Sequence, residues 1–297
     1  MNYTLHQLQI FLKVVETKSI TKASEELFMT QPAVSIQLKN FQEQFEISLT
    51  EIVGRQLFVT EFGYEIAAIA ERVIQELNII NYKTQAFKGI LAGKLTISSA
   101  STGKYVIPYF LSDFLEMHTG IDLTLDVTNK TRVIESLKQN ETDFALVSTV
   151  PDKMDLEEEI LMENKLYLVG NRPKKENNIP LIYREEGSAT RMAMQEYFSN
   201  HLKGKRKRME LTSNEAVKQA VIAGLGYSIM PLIGIHTELE AEQLYILPSK
   251  KLPIKTEWRL VWLKGKKLSP VASAYLQFIK EHKQNILKKH FKWVDDF

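Results

Sequence analysis

The chain has 297 residues, of which 44% are hydrophobic and 25% are charged, and its formal net charge is only +2. This balance is typical of a soluble globular protein of about two or three domains, and it excludes the disordered and fibrous classes. The absence of cysteine excludes disulfides and thiolate metal sites. The sequence has no secretory signal and no apolar run of about 20 residues, so we expect a cytoplasmic protein that makes no membrane contact.

The first 45 residues predict three helices. Apolar residues recur at steps of three and four from Leu5 to Val15, which marks a first helix with one buried face. A capping hydroxyl at Ser19 precedes a short second helix. A third helix is predicted over 32–45, because Pro32 suits a first helical turn. Its buried stripe comprises Val34, Leu38, Phe41 and Phe45. Two short helices joined by a tight turn are typical of a helix-turn-helix, whose second helix enters the major groove of DNA.

Residues 49–63 form short β-rich pieces around Gly54-Arg55 and predict a β-hairpin wing with Arg55 near the DNA backbone. The surrounding charge does not by itself favour DNA, since residues 1–92 contain eight Lys or Arg against ten Glu. Phosphate contacts depend on local rather than total charge. DNA binding therefore requires that Lys22, Lys39 and Arg55 lie on the DNA side and the glutamates on the far side.

A heptad pattern follows in residues 64–88. Its positions, with one polar member, are Ile66, Ala70, Val73, Leu77, Ile80, Thr84 and Phe87. A helix of about 25 residues is roughly 37 Å long, more than a small winged domain covers, so we expect the seam to pair with the same helix of a second subunit. The alternative is a helix packed only on its own domain.

After a hinge at 90–93, strands and helices alternate. Strands are predicted at 94–99, 121–127, 144–147, 166–169, 181–183, 209–211, 227–230 and 258–263. Helices are predicted at 105–118, 131–140, 190–201, 214–222 and 270–287. The repetition predicts two similar lobes joined by a hinge. The predicted domains are a DNA-binding domain over 1–63, a linker and dimerisation helix over 64–89 and a ligand-binding domain over 93–297, with lobe one at about 93–165 and 266–297 and lobe two at about 166–265.

Ordered motifs run along the whole chain. They are Leu5-x-x-Leu8-x-x-Phe11, SITKASEEL at 19–27, TQPAVSIQL at 30–38, VTEFG at 59–63, DFALV at 143–147 and EAVKQAVIAGLG at 215–226. Together they resemble the LysR-type transcriptional regulators. The resemblance implies a multidomain fold, in which an all-α winged helix-turn-helix and a long linker helix precede an α/β two-lobed effector domain like a periplasmic binding protein. The partners it implies are double-stranded DNA, a small-molecule effector, further copies of the chain in a homo-oligomer, commonly a dimer of dimers, and RNA polymerase.

The resemblance also indicates which residues contact DNA. Those expected at or near base edges, at the start of the third helix, are Gln31, Pro32, Ser35 and Ile36. Those expected nearer phosphates are Thr30, Lys39 and Arg55. Many relatives have arginine at the position of Ile36, so this chain favours a thymine methyl over a guanine there. The wing has Ile52 where relatives usually have a phosphate-binding arginine, which predicts weaker phosphate affinity.

Two clusters of hydroxyl residues lie where predicted strands end and helices begin. The candidate effector contacts are Ser99, Ser101, Thr102, Thr149, Ser188 and Thr190. Free N–H groups and the helix dipole favour an anion at such places. The run at 187–191 is similar to that of LysR-type regulators serving carbon fixation, which favours a small phosphorylated or carboxylated metabolite. The alternative is that these hydroxyls only cap helices.

Two other functional classes fit the sequence less well. An enzyme is disfavoured because the sequence lacks a Gly-x-Ser-x-Gly elbow, a P-loop and a His-Glu-x-x-His motif, and its six histidines have no metal-ligand spacing. We therefore predict no enzyme, no cofactor and no metal. A solute-binding protein is disfavoured by the missing export signal. The basic runs at 203–208 and 288–289 are interpreted as solvated surface.

Overall fold

The computed structural model of the chain describes residues 3–54, 56–87, 89–151, 154–176, 179–201 and 206–297. It divides the chain into two units, Met1–Gly89 and Ile90–Phe297. In the first unit the helices are α1 (Leu5–Thr17), α2 (Ile20–Glu26), α3 (Gln31–Gln42) and α4 (Glu61–Phe87), and the strands are β1 (Thr50–Val53) and β2 (Gln56–Val59).

Local capping fixes the starts of the first two helices. The Thr4 hydroxyl accepts a hydrogen bond from the backbone N–H of Gln7, and the Gln7 side chain accepts one from the backbone N–H of Thr4, which makes a capping box. Ser19 caps α2 by accepting from the backbone N–H of Lys22. The predicted role of Ser19 as a helix start is therefore confirmed.

The core of the first unit joins all four helices. Val34, Leu38 and Phe41 of the predicted stripe are buried, together with Ala67 and Ala70 of α4. The third helix ends at Gln42, three residues before the predicted end at 45. It ends there because the backbone hydrogen bonds donated by Gln44 and Phe45 are of the tighter i to i+3 type. The Gln42 side chain also accepts hydrogen bonds from the backbone N–H and the hydroxyl of Thr50. The helix-turn-helix itself is confirmed.

The predicted wing is confirmed as an antiparallel hairpin. Strands β1 and β2 pair from Thr50 with Val59 to Val53 with Gln56. Gly54 has a φ of +66°, a left-handed conformation that glycine adopts readily in a two-residue hairpin loop. Arg55, the cation predicted for this loop, lies outside the described residues.

Helix α4 divides the predicted heptad seam between two environments. Ala70 is buried and Ile66 is partly buried against the core of its own unit. Further along, Val73 is 40% exposed and Ile80 is 60% exposed. A single seam over the whole helix is therefore wrong, because its first positions already have an intramolecular partner. The side chain of Phe87, the last predicted position, lies outside the described residues.

The second unit is an α/β structure. Its strands are β3 (Ala92–Ala100), β4 (Gly120–Thr128), β5 (Phe144–Val147), β6 (Leu156–Gly170), β7 (Leu181–Arg184), β8 (Arg208–Leu211), β9 (Ser228–Pro231), β10 (Tyr245–Ile246) and β11 (Ile254–Leu263). Its α-helices are α5 (Ile107–Met117), α6 (Lys130–Lys138), α7 (Ala189–His201), α8 (Asn214–Ile222), α9 (His236–Glu240) and α10 (Pro270–His290). Short 3-10 helices span Ser101–Tyr105, Leu232–Gly234 and Lys292–Asp296.

The strand order explains the two lobes. The main sheet runs β10-β6-β11-β5-β3-β4, with β9 also beside β6, and β7 pairs with β8 in a separate parallel pair. Strands β4, β3 and β5 are parallel, as expected for β-α-β units. Strands β6 and β11 run antiparallel along each other for ten residue pairs and connect both lobes. The predicted two-lobed α/β architecture is confirmed.

Strand β11 crosses between the lobes at a β-bulge between Trp258 and Arg259. Beyond the bulge, Arg259, Leu260 and Val261 pair with β5, a strand of the first lobe. The prediction places this strand wholly in lobe two, whereas β11 crosses to the first lobe before the predicted boundary at about 265. The boundaries of the domains and lobes otherwise stay predictions.

Candidate functional site

The start of α3 presents an exposed polar and apolar surface. Thr30 is the N-cap residue, yet its side chain makes no capping hydrogen bond. Thr30, Gln31 and Pro32 are all exposed, Ser35 is partly buried and Ile36 is 56% exposed. The opposite side of α3 is held by its buried stripe, so these residues share the open side of the helix.

The electrostatic character of this surface is weak. Lys39 lies 3.7 Å from the Glu43 carboxylate, with both side chains more than half exposed, so the pair contributes little to stability. The described part of the wing exposes Ile52, Val53 and the acidic Glu51. Gln37 accepts a hydrogen bond from the Gln7 side chain and so ties α3 to α1. In its described part, this surface therefore offers a DNA duplex a helix with polar and apolar groups and few cations.

In the second unit, the hydroxyls of the first cluster differ in their roles. Ser99 is fully buried and donates to the carbonyl of Ala100, and a Cβ on Gly103 would lie only 2.3 Å from its Oγ atom. Ser99 therefore packs against the Ser101–Tyr105 turn. Its complete burial does not favour the predicted contact with a ligand. Ser101 is partly exposed and donates to the carbonyl of Thr128, at the end of β4. Thr102 is 8% exposed.

The second cluster opens α7. Ser188 is 4% exposed, and its Oγ atom lies 3.5 Å from the backbone N–H of Arg191, as in a helix cap. Thr190 is partly exposed in the first turn. Gly187, with a φ of +83°, lies against the first lobe, since a Cβ there would be 2.7 Å from Thr131 Oγ1. The predicted residues Ser188 and Thr190 of the second lobe therefore lie in the segment that approaches the start of α6 in the first lobe.

Two cations complete this cleft, and the sequence interpretation missed both. Arg184, the last residue of β7, is 4% exposed, and its Nη2 atom lies 3.5 Å from Ser101 Oγ in the other lobe. Its guanidinium is bidentate to Glu185, at 2.7 Å for each bond. Lys130 donates to Thr149 Oγ1 at 2.6 Å. The signal that could have identified them is positional, because Arg184 ends strand β7 and Lys130 begins helix α6.

The region where the lobes meet therefore combines hydroxyls, two helix starts, Lys130 and an Arg184 that is paired with Glu185. Asn129 caps α6 by accepting from the backbone N–H of Arg132, so that end of the cleft is a helix N-terminus. Backbone N–H groups at helix starts, an arginine fork and a lysine are the donors that bind phosphate and carboxylate groups in proteins. Beside Thr149, an open groove of about 630 Å³ continues along β6 and β11.

Other kinds of site find no support in the described part of the chain. No group of three His, Asp or Glu residues among the described residues is arranged to hold a metal ion. No helix within those residues combines the length and apolar character that a membrane span requires.

Comparison with protein families matches both units. Residues 5–64 match the model described as the bacterial regulatory helix-turn-helix protein of the lysR family. Residues 88–284 match the model described as the LysR substrate binding domain.

Characterised relatives are similar over nearly the whole chain. A RuBisCO operon transcriptional regulator of Allochromatium vinosum is 37% identical, over 94% of this chain and 96% of its own length. The HTH-type transcriptional activator CmpR of Synechocystis sp. is 34% identical, over 96% of this chain and 97% of its own. These relatives are transcription regulators and not enzymes, as predicted.

Solved structures agree with this result. The regulatory domain of Synechocystis PCC6803 CcmR, in complex with 2-PG, is 34% identical and superposes with a TM-score of 0.60, covering 65% of this chain and 98% of that one. Full-length CbnR in complex with its target DNA has a TM-score of 0.69 over 94% of this chain and 99% of its own. At 16% identity, the second similarity shows the fold alone.

Proposed function

The chain belongs to the LysR family of bacterial transcription regulators, and from that premise we propose that it binds promoter DNA as a homo-oligomer and responds to a small anionic metabolite held between the lobes of its second unit. The coarser function, a DNA-binding transcription regulator, follows directly from membership of the family. The effector's charge, the residues that bind it and the assembly are the parts that we propose.

The anionic effector is supported above all by Arg184. Its side chain is buried at the edge of the cleft, where its charge is offset by the adjacent Glu185. A buried guanidinium is stabilised by good geometry and full hydrogen bonding, and an incoming phosphate or carboxylate would add acceptors opposite Ser101. Lys130 lies beside Thr149, at another corner of the cleft. Together these residues favour an anion with more than one charged group.

The relative whose regulatory domain was solved in complex with 2-PG indicates the size of such a ligand. 2-PG carries a phosphate and a carboxylate on a two-carbon skeleton, and these two anionic groups would suit Lys130, Arg184 and the helix starts beside them. We therefore propose a small phosphorylated carboxylic acid of this kind as the effector of this chain. Thr102, Ser188 and Thr190 would orient it, since they lie at the starts of the Ser101–Tyr105 turn and of α7.

Assembly is supported by the outer face of α4. An open groove of about 710 Å³ is lined largely by apolar side chains, among them Ile69, Val73, Leu77 and Ile80. A monomer that exposed such a stripe on a 27-residue helix would present an apolar surface to water, whereas pairing with the same helix of another copy buries it. We propose a dimer through this face, a dimer of dimers as the working assembly, and contact with RNA polymerase at the promoter.

On DNA, we propose that the exposed start of α3 enters the major groove, with Gln31, Ser35 and Ile36 nearest the bases. Thr30 and Lys39 would contact phosphates, and Arg55 of the wing would do the same. Effector binding would change the population of two assemblies on the promoter rather than drive a reaction.

Nuclease footprinting on the intergenic region upstream of the protein's own gene tests the proposal. We expect specific protection that resists competitor DNA at moderate salt and whose extent changes when 2-PG is added. Protection that is absent would contradict the placement of α3. Protection that does not change with 2-PG or with related phosphorylated acids would contradict the proposed effector.

A further inference from the structure

Phe28 occupies an unusual position in the turn between α2 and α3. Its side chain is 98% exposed, and its backbone has a φ of +54°, in the left-handed region. The turn is ordered, since the backbone N–H of Phe28 donates to the carbonyl of Glu25 and that of Met29 donates to the carbonyl of Ser24. This hydrogen-bond pattern is the one that commonly ends a helix, with glycine or asparagine at the left-handed position.

A phenylalanine here is unfavourable within the protein for two separate reasons. A left-handed backbone places Cβ close to the following carbonyl, which is sterically unfavourable for residues other than glycine. The exposed ring also leaves a large apolar surface in water, so packing within the chain does not offset the backbone strain. Strain that the fold itself does not compensate is commonly found at functional positions.

The place of Phe28 in the chain indicates which interaction compensates for the strain and for the exposed ring. The residue lies two positions before Thr30, the N-cap of α3, and directly precedes the exposed residues at the start of that helix. When the start of a recognition helix enters the major groove, the turn before it reaches the groove edge, where the sugar-phosphate backbone runs. The exposed ring therefore lies next in the chain to the residues that we propose contact DNA.

We propose that Phe28 is a positioning residue for DNA binding, whose ring packs on the deoxyribose groups at the edge of the major groove. The inference rests on the proposed placement of α3 on DNA. On the described part of this surface Lys39 is paired with Glu43 and the wing exposes Glu51, so phosphate neutralisation there is limited. Apolar contact with the sugars supplies part of the affinity in its place. Such contact carries no sequence information and fixes the register of the helix.

Phe28→Gly separates this role from a structural one. Glycine removes the ring and relieves the left-handed strain, so we expect the unfolding midpoint of the full chain to rise by about 2 to 4 °C. The same change should weaken binding to a duplex of the upstream intergenic region by about tenfold, because the buried area of an aromatic ring is lost from the interface. Phe28→Tyr keeps the ring and should bind within about twofold of the unchanged protein.

Glu242→Gly is a matched control, since Glu242 also has a positive φ, of +55°, and lies in the second unit. It should raise the midpoint and leave DNA binding unchanged. Unchanged DNA affinity of Phe28→Gly would overturn the inference. If only transcription activation fell, the inference would also be overturned, because the ring would then contact a protein partner. A lower midpoint with weaker binding would also overturn it, because the ring would then be structural.

Gln31→Ala, measured in parallel, separates this inference from the proposed function. If Gln31→Ala weakens specific binding and Phe28→Gly does not, the inference about Phe28 fails alone. If neither variant weakens binding, the placement of α3 fails, and the inference about Phe28 fails with it.

Discussion

The Nη2 atom of Arg184 lies 3.5 Å from the Oγ atom of Ser101, although the two residues are 83 positions apart in the chain. Arg184 ends a strand of the second lobe, and Ser101 begins a short 3-10 helix of the first. The two lobes therefore meet at a charged donor and a hydroxyl, and a ligand between them would contact both. This pair defines where we expect the effector.

Gly187→Ala should weaken effector binding. The residue has a φ of +83°, and a Cβ would lie 2.7 Å from Thr131 Oγ1 in the other lobe, so the Thr131 side chain or the lobe that carries it must move to accept it. We expect a stability loss of about 1 to 2 kcal/mol from the backbone alone and a further loss from the clash. Thermal unfolding with and without 2-PG measures both effects.

Gly265→Ala is the matched control for this change. Gly265 has a φ of +77°, but nothing lies within 4 Å of the position that a Cβ would take. It should show the backbone loss and bind 2-PG normally. Equal loss of 2-PG binding in both variants would contradict a closed contact between Gly187 and Thr131.

Ile36→Ala should weaken binding to the operator by about 1 to 3 kcal/mol if the side chain contacts thymine methyl groups. The side chain is 56% exposed, so its removal leaves the core of the first unit intact. A duplex in which uracil replaces thymine should bind the unchanged protein more weakly than the thymine duplex does. The Ile36→Ala variant should bind the two duplexes equally well. Gel-shift titrations measure this, and an additive loss would place Ile36 away from the methyl groups.

Gln31→Ala should weaken binding to the operator by a similar free energy, about 1 to 3 kcal/mol, because a base contact is lost. Binding to unrelated DNA should change little, because no phosphate contact is lost. The exposed Gln9 of α1 provides the control, since Gln9→Ala removes the same group elsewhere on the unit. Equal losses on specific and unrelated DNA would show that Gln31 contacts the backbone instead.

Ile80→Asp should break the proposed dimer. Ile80 is 60% exposed in one chain and lines the apolar groove of α4, so a carboxylate there would be desolvated on pairing. Light scattering should show a lower mass, and operator affinity should fall with it. Ala68→Asp, on α4 outside this groove, should keep the mass of the unchanged protein. An unchanged mass for Ile80→Asp would exclude this face as the interface.

Most elements of the fold could be predicted because their apolar spacing is local information. Helix α3, the wing and the parallel strands β3, β4 and β5 all follow from such patterns. The first half of β6 could not be predicted in this way, because it contains the polar run at 157–159. Its side chains find distant partners in Trp262, Arg259 and Lys283, and no local pattern contains that pairing.

The candidate site was predicted only in part, for the same reason. Hydroxyls at helix starts are visible in sequence, and Ser101, Thr102, Ser188 and Thr190 lie at the starts of such segments. Arg184 and Lys130 become candidates only when the lobes are brought together, since their neighbours Ser101 and Thr149 are distant in the chain. The heptad pattern likewise shows that Ile66 is on the apolar face of α4. It does not show whether that face packs on the core of its own unit or on a second copy of the chain.

The central claim, that an anion binds at Arg184 between the lobes, is tested most directly by titrating 2-PG into the full-length protein in a calorimeter. We predict saturable binding to the unchanged protein and a loss of about tenfold to a hundredfold in affinity for Arg184→Ala, since hydrogen bonds to charged groups contribute about 1.5 to 3 kcal/mol. Arg172→Ala, which removes an exposed arginine paired with Glu176, should bind like the unchanged protein. Equal affinity of the Arg184→Ala variant and the unchanged protein for 2-PG would contradict the claim.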